Sequence, residues 1–487
     1  MTSANLYKNA ALLYFLSLAF LLSLAYTIEY PVDDEASYIA QTNLLTEGKT
    51  QPNWLLSTSY ITMLVGMPVI KYALSFFNLR LLMMMIAATT TPLMYLILRE
   101  IGAKRDIAIL GALVLLTNPF VATYLRQFIT EPISLPLYLL SALFIIRSIR
   151  WNDNKFLSLG VFVGILGFLN RQTDIIPVLA ALSFFLIQMV VSKEKQSRNV
   201  FRKKIVISSP VLVFLLAFFS YLYFTTGAIT NKITVPYTNE HALLNPQFGI
   251  SIQSPYRLLQ DLIYLGFMFL PFALFTRKYL KPKIEILGRL LSKDVILLIG
   301  PLLMAVLVVI LGKAFIFHEG GLIAFISAAL FSYSGISLSL YILQNRTVSN
   351  ISSYSFIVLV GCVLFTFFKI GVFIIKYYII FLPFILVFLA LKIKERMPYV
   401  LTILVLGGFG VLMTTNVIQF YEKLWCEVDK LLANGIEPTD IQGQYTLDNW
   451  LSNSVDNPTG KYRLVWDRHA IFNELVDVNS VKSEVVR

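Results

Sequence analysis

The sequence predicts an all-α protein that crosses a membrane many times. About thirteen spans are expected, with helices along the interface in the first outer loop and a small α/β domain at the C-terminal end. Three observations carry this. The 487-residue chain is 57% hydrophobic and only 14% charged, with a mean hydropathy of +0.71, values far from those of soluble globular domains. Its apolar residues gather in runs of roughly 18–22, each able to cross about 30 Å of hydrocarbon. Of the 40 lysines and arginines, 23 fall in the loops on one side of those runs, against 10 in the opposite loops and 7 in the tail. That asymmetry orients the N-terminus inside and the C-terminus outside.

In chain order the runs lie near 9–27, 80–98, 107–124, 132–147, 156–170, 173–191, 205–224, 258–276, 294–312, 322–343, 351–368, 378–394 and 399–418. The first is also compatible with a signal peptide, since Lys8, a short apolar core and Ser23-Leu24-Ala25 fit that pattern. Either way the segment after it is outside. The formal charge of +12 would suggest a nucleic-acid partner in a soluble chain. Here the cations sit mainly in short loops as topology signals, so no nucleic-acid partner is expected. Two cysteines, Cys362 inside an apolar run and Cys426 beyond the last, exclude a disulfide framework or a cysteine-rich metal site.

The first outer loop, 28–79, is read as two interfacial helices. Ile39, Leu44 and Leu45 have helical spacing within 36–46, and 60–77 is apolar but interrupted by Gly66, Pro68 and Lys71. The alternative, that 60–77 is itself a span, would put the basic stretch Lys193–Lys204 outside and contradict the charge asymmetry. Residues 1–418 thus form the transmembrane domain and 419–487 a small outward domain. That tail is less apolar, with eleven acidic residues, a helix-like run Tyr421–Leu432, helical Leu447–Leu451 and strand-like Tyr462–Trp466.

The outer ends of the spans hold the candidate chemistry. The stretch Pro31–Lys49 opens with Asp33, Asp34 and Glu35, carboxylates that are expensive at a bilayer edge unless solvated or functional. Arg126 and Glu131 follow the third run, and Arg171 and Asp174 the fifth. Lys232, Glu240 and His241 lie in the long loop 225–257, with Lys313, His318 and Glu319, then Lys369, Lys376, Tyr377 and Tyr378 later. Charges of both signs therefore converge on one face. A transferase that takes a sugar from a lipid phosphate needs such a set. One carboxylate removes the proton of an acceptor hydroxyl, cations clamp the departing lipid phosphate, and the lipid tail lies between spans. Simpler readings stand beside each. The acidic run is also a solvated topology loop, and Glu131 before Pro132 also a helix-start carboxylate favoured by the dipole. Arg171 and Asp174 could simply pair in a turn, and Lys376 could snorkel as an interfacial anchor. His318 with Glu319 could ligate a metal, although one histidine is a weak metal signal.

Asp34-Glu35-Ala36-x-Tyr38 followed by Ala40-x-x-Asn43-Leu44-Leu45-x-x-Gly48 resembles the first outer loop of the GT-C glycosyltransferases, in particular the protein O-mannosyltransferase and lipid A aminoarabinose transferase branch. Arg80, Thr130-Glu131-Pro132 and Lys376-Tyr377 with Pro383 are further points of similarity in the same order. Leu169–Ile176, reading LNRQTDII, is also similar to the RQTNII stretch of the eukaryotic alpha-1,2-glucosyltransferase that completes the dolichol-linked oligosaccharide.

The resemblance implies an inverting glycosyltransferase that uses a dolichyl- or undecaprenyl-phosphate sugar on the outer face of a membrane. The acceptor would be a glycan, lipid or protein hydroxyl. Asp34 is expected to be the general base, with Asp33 the alternative; Glu35 and Glu131 would orient the acceptor or hold a divalent metal ion, the metal falling to Asp34 and Glu131. Arg126, Arg171, Lys376 and Tyr377 would bind the donor phosphate, and Asp33, Tyr38, Asp174, His318 and Glu319 the substrates. The reading places the protein in a prokaryotic cell membrane. The competing class is a transporter or flippase of a lipid-linked sugar, expected to bury charge at mid-bilayer in paired inverted repeats. A lipid-linked polysaccharide polymerase or ligase would share the donor.

Overall fold

A computed structural model describes residues 3–25, 29–32, 35–48, 59–72, 75–226, 262–263, 265–281, 283–286, 289–310, 322–367, 379–442, 462–465 and 482–485. The chain is mainly helical. It opens with α1 (Ser3–Ser23), then α2 (Glu35–Thr46) and α3 (Tyr60–Tyr72) of the first outer loop, at the two places expected for helices there. The next apolar run is split into α4 (Phe76–Ala87) and α5 (Thr90–Glu100). Pro92 explains the break, because it offers no N–H to the carbonyl of Ala88, four residues back.

The run expected at 107–124 is likewise two helices, α6 (Arg105–Thr117) and α7 (Pro119–Tyr124). Asn118 caps the second by accepting from the Phe120 N–H at 3.1 Å, with Pro119 at the first helical position. Next come α8 (Glu131–Trp151), ended by Asn152 in the left-handed region at φ 54°, and α9 (Asn154–Asn170), capped by Asp153. A single 3₁₀ turn (Gln172–Ile175) leads into α10 (Ile176–Val191). The basic stretch read as an inner loop is instead α11 (Lys195–Ser208), followed by α12 (Pro210–Thr226). Lys204 is buried there, donating to the Ser148 carbonyl at 2.9 Å, so its long stem lets the charge reach a partner while the helix continues.

The second half contains α13 (Leu270–Thr276), an antiparallel hairpin of β1 (Lys283–Ile286) and β2 (Arg289–Ser292), then α14 (Lys293–Ile310), α15 (Leu322–Asn345), α16 (Asn350–Phe367) and α17 (Leu382–Lys392). The last helix, α18 (Met397–Ala433), is 37 residues long and passes the expected boundary at 419 without a break. At 1.5 Å per residue it is about 55 Å long, well beyond the roughly 30 Å of a bilayer core. Beyond it β3 (Ile441–Gln442), β4 (Tyr462–Val465) and β5 (Lys482–Val485) form a three-stranded sheet, parallel then antiparallel. The expected helix at 447–451 lies outside the described residues.

Seven helical stretches among the described residues are long and apolar enough to cross a membrane, by length and composition, and four shorter apolar helices accompany them. The chain is therefore a multi-pass membrane protein. The count of thirteen is not reached on that criterion among the described residues; at Asn118-Pro119 the run near 107–124 is divided into α6 and α7, each below spanning length. One large core draws on most of the helices, from Leu13 on α1 to Met413 on α18. In lipid, helix association relies on close approach and interhelical hydrogen bonds. The α8–α9 contact uses both, the Ser141 hydroxyl donating to the Gly160 carbonyl at 2.8 Å.

Two smaller clusters lie at the end of the bundle where the first outer loop begins. In one, Tyr38 and Ile39 of α2 and Ile70 of α3 pack against Leu79, Met83, Phe128, Ile129 and Ile133. Gly66 is required in this contact, since a Cβ there would sit 2.3 Å from Cζ of Phe128. Gly66→Ala is expected to cost about 1–3 kcal/mol by overpacking, measured by thermal unfolding of the detergent-purified protein. Phe128→Leu in the same chain should recover part of the loss. The other cluster joins Val32 to Phe420, Leu424, Trp425, Val428 and Leu431 on the overhang of α18.

Candidate functional site

The short connector Leu125–Thr130 between α7 and α8 is buried throughout. A buried loop must have its backbone polar groups and charges satisfied by other parts of the chain. The way this is done assembles the site.

Glu35, the first residue of α2, is fully buried and faces the fully buried Arg80 on α4. Arg80 Nε donates to Glu35 Oε1 at 3.0 Å and Nη2 to Oε2 at 2.7 Å, a bidentate pairing. The same carboxylate accepts from the Val32 N–H at 2.8 Å and from the Phe128 N–H at 2.8 Å. Arg80 also donates to the Tyr30 carbonyl at 2.6 Å. Glu35 thus locks the acidic loop to α4 and to the connector, a use of the carboxylate that differs from orienting an acceptor or holding an ion. Asp33 and Asp34, the expected bases, lie outside the described residues. The chain is fixed on both sides of them, at Val32 and at Glu35.

Arg126 is equally buried. It donates from Nε to the Ala122 carbonyl at 2.5 Å, from Nη2 to the Thr414 hydroxyl at 2.9 Å, and from Nη1 to the Leu24 carbonyl. One guanidinium therefore braces the end of α1, α7 and α18 together and places a fixed positive charge beneath the outer loop.

Glu131 and Arg171 form an ion pair between the start of α8 and the end of α9, with Glu131 2% exposed. The Thr130 hydroxyl adds a hydrogen bond to Glu131 at 3.2 Å. Glu131 occupies the first turn of α8, so helix-end stabilisation and pairing with arginine operate together. Asp174 is buried nearby. Its N–H closes a turn onto the Arg171 carbonyl at 3.0 Å, but its carboxylate turns away to accept from the Ser134 hydroxyl at 2.5 Å and from Thr173 at 3.3 Å. Among the described ion pairs, the partner of Arg171 is Glu131, while the Arg171 charge also acts on the nearby Asp174 carboxylate.

Asn170 was not singled out from the sequence, although it stands beside Arg171 in the LNRQTDII stretch. Its Oδ1 accepts from the Thr62 N–H at 3.0 Å and hydroxyl at 2.7 Å, and its Nδ2 donates to the Thr130 carbonyl at 2.9 Å. The Ser59 N–H donates to the Asn170 backbone carbonyl at 3.0 Å. One amide so ties the first outer loop to α8 and α9. A polar residue at the mouth of an otherwise apolar run was the signal that could have found it.

Tyr30 and Trp425 were also missed. Their rings stack with centroids 4.6 Å apart and 12° between planes. The Tyr30 hydroxyl donates to Asp429 Oδ1 at 2.9 Å, and this bond, with partial burial, raises the phenol above its ordinary pKa. The Trp425 indole donates to the Pro31 carbonyl at 3.1 Å.

Of the sequence-predicted residues, Glu35, Tyr38, Arg126, Glu131, Arg171 and Asp174 gather around the connector, while Lys376, Tyr377, His318 and Glu319 lie outside the described residues. Among the described residues no group of three or more His, Cys, Asp or Glu side chains is placed to hold a metal ion. Glu35 and Glu131 each face an arginine, which supplies the countercharge a divalent cation would bring. This pair does not fit as the nucleus of a metal site. The opposite end of the bundle carries its own ion pairs, Glu100 with Arg147, Asp106 with Arg396 and Glu395 with Lys278. Tyr279 and Lys278 pull the Glu395 carboxyl down to about 2, the lysine hydrogen bond being the larger cause.

Comparison with known proteins gives two findings. The family model described as dolichyl-phosphate-mannose-protein mannosyltransferase matches residues 59–224, from α3 to α12. Among solved structures, the S. cerevisiae protein O-mannosyltransferase Pmt1-Pmt2 complex bound to the sugar donor is similar at 13% identity and a TM-score of 0.37, over 48% of this chain and 36% of that one. The chain thus spans little more than a third of the solved chain it matches. No curated protein matches it. The family match covers a stretch that excludes the acidic motif at 34–48, so a second, separate part of the sequence is similar to the protein mannosyltransferases: residues 59–224 of this multi-pass membrane protein match their family model.

Proposed function

We propose that the protein transfers a sugar from a polyprenyl phosphate to an acceptor hydroxyl on the outer face of the membrane, with the N-terminus inside and the C-terminus outside. The observation that supports this best is the gathering of Arg80–Glu35, Arg126, Glu131–Arg171 and Asn170 around one buried connector beside the acidic loop. The family match over the helices that carry most of these residues supports the donor class.

In this reading Asp34 takes the proton of the acceptor hydroxyl as its oxygen bonds to the anomeric carbon. The bond from that carbon to the phosphate oxygen breaks, and the polyprenyl phosphate leaves as an anion with the bonding pair. Attack from the opposite side inverts the anomeric centre. Arg171 and Lys376, with Tyr377, clamp the phosphate, while Arg126 contributes fixed positive charge from beneath. Glu131 orients Arg171. Asp33, Tyr38, Asp174, His318 and Glu319 are proposed to serve substrate binding, and Glu35 sets the loop.

The test is incubation of the purified protein with a panel of dolichyl- and undecaprenyl-phosphate sugars, reading release of free polyprenyl phosphate. Consumption of at least one donor is expected with wild-type protein. Intact donors throughout, with acceptor hydroxyls of all three classes supplied, overturn the reading in favour of transport without chemistry.

A further inference from the structure

The chain just before the acidic pair is held from outside the transmembrane core. Pro31 has no N–H, so its carbonyl is its one backbone hydrogen-bonding group, and Trp425 takes it at 3.1 Å. The preceding Tyr30 stacks on the same indole and donates to Asp429 one turn further along α18. The following Val32 is fully buried against Leu424, Val428 and Leu431. All of these partners lie on the part of α18 that its length carries past the hydrocarbon. Their cluster is separate from the main core, so most of the packing that holds the bundle does not depend on it.

We infer that the overhang of α18 is a strut that positions the acidic loop, with Trp425 as its positioning residue. The inference rests on the proposed transfer reaction for its consequence, though not for its geometry. The loop enters the acid pair from a point fixed by Trp425 and leaves it at a point fixed by Arg80. A general base must be held within a fraction of an ångström of its working place. Fixing the chain at Val32 and again at Glu35 limits how far the residues between them can travel. Neither Trp425 nor Asp429 touches the reacting atoms in this scheme, so both act through the loop.

The test combines amide hydrogen exchange of the full-length protein in detergent with steady-state kinetics on dolichyl-phosphate mannose, or on whichever donor of the panel wild-type protein consumes. Trp425→Leu is expected to raise exchange of residues 29–32 and to lower kcat about 10- to 100-fold, with KM for the lipid donor changed by less than about threefold. Trp425→Phe retains the stack and should recover most of the lost kcat. If Trp425→Leu fails to fold, Asp429→Ala, which removes the acceptor of the Tyr30 hydroxyl at an exposed bond, carries the same comparison. Unchanged exchange at 29–32 overturns the strut, as does raised exchange with kcat unaltered. A wild-type protein that consumes no donor overturns the transfer reading, and exchange then decides the strut by itself.

Discussion

Replacing Asp34 by Asn is expected to lower turnover of the polyprenyl-phosphate donor by about 10²–10⁴-fold, the range lost when a general base is removed. The amide is nearly the same shape, accepts a hydrogen bond and cannot take the acceptor proton. KM for the donor should change little, because the base acts on the acceptor rather than on the phosphate. Asp33→Asn separates the two neighbours. If Asp34 is the base, Asp33→Asn retains most of kcat and shifts acceptor KM instead; the reverse pattern moves the role to Asp33. Glu35 does not compete for that role by geometry, since both of its oxygens are engaged by Arg80 and by two backbone N–H groups.

Arg80→Ala is expected to destabilise the protein by about 3–5 kcal/mol, the cost of stripping one partner from a buried ion pair. Glu35 would be left charged, fully buried and with two N–H donors in place of four. Thermal unfolding in detergent measures this. The activity of whatever fraction folds should fall as well, because the loop loses the Tyr30 carbonyl contact along with the ion pair. Replacing both residues together by apolar side chains of similar volume should cost much less than Arg80→Ala, since no charge is left without its partner. A double variant no more stable than the single one would mean that Arg80 acts mainly through its other contacts.

The two predictions separate what one acidic run of three residues does. In sequence, Asp33, Asp34 and Glu35 are near equivalents, and the resemblance to an acidic pair followed by tyrosine favours the second as base. The fold gives the third a role of its own, because Glu35 begins a helix with an arginine from a segment 45 residues away at hydrogen-bonding distance. Arg126 shows a similar change of meaning. As a cation at an outer span end it reads as a phosphate clamp, yet its donors reach the carbonyls of Leu24 and Ala122 and the hydroxyl of Thr414. It holds three helices as well as supplying charge.

Hydropathy, a property of consecutive residues, determined that the chain is a helical protein that spans a membrane many times. It also placed two helices in the first outer loop, where α2 and α3 stand. Proline breaks inside runs were legible too, at Pro92 and Pro119, although reading each run as one helix passed over them. Tertiary structure alone decided which charges neutralise each other. Glu35 meets Arg80 and Phe128, Glu131 meets Arg171, and Trp425 meets Pro31 nearly 400 residues before it in the chain. Such pairings are set by which helix ends the packing of apolar faces brings together, and buried charge and backbone then take the partners within reach. Period and composition carry no record of that choice, because many partners of equal chemistry lie along the chain and only the packed bundle selects among them.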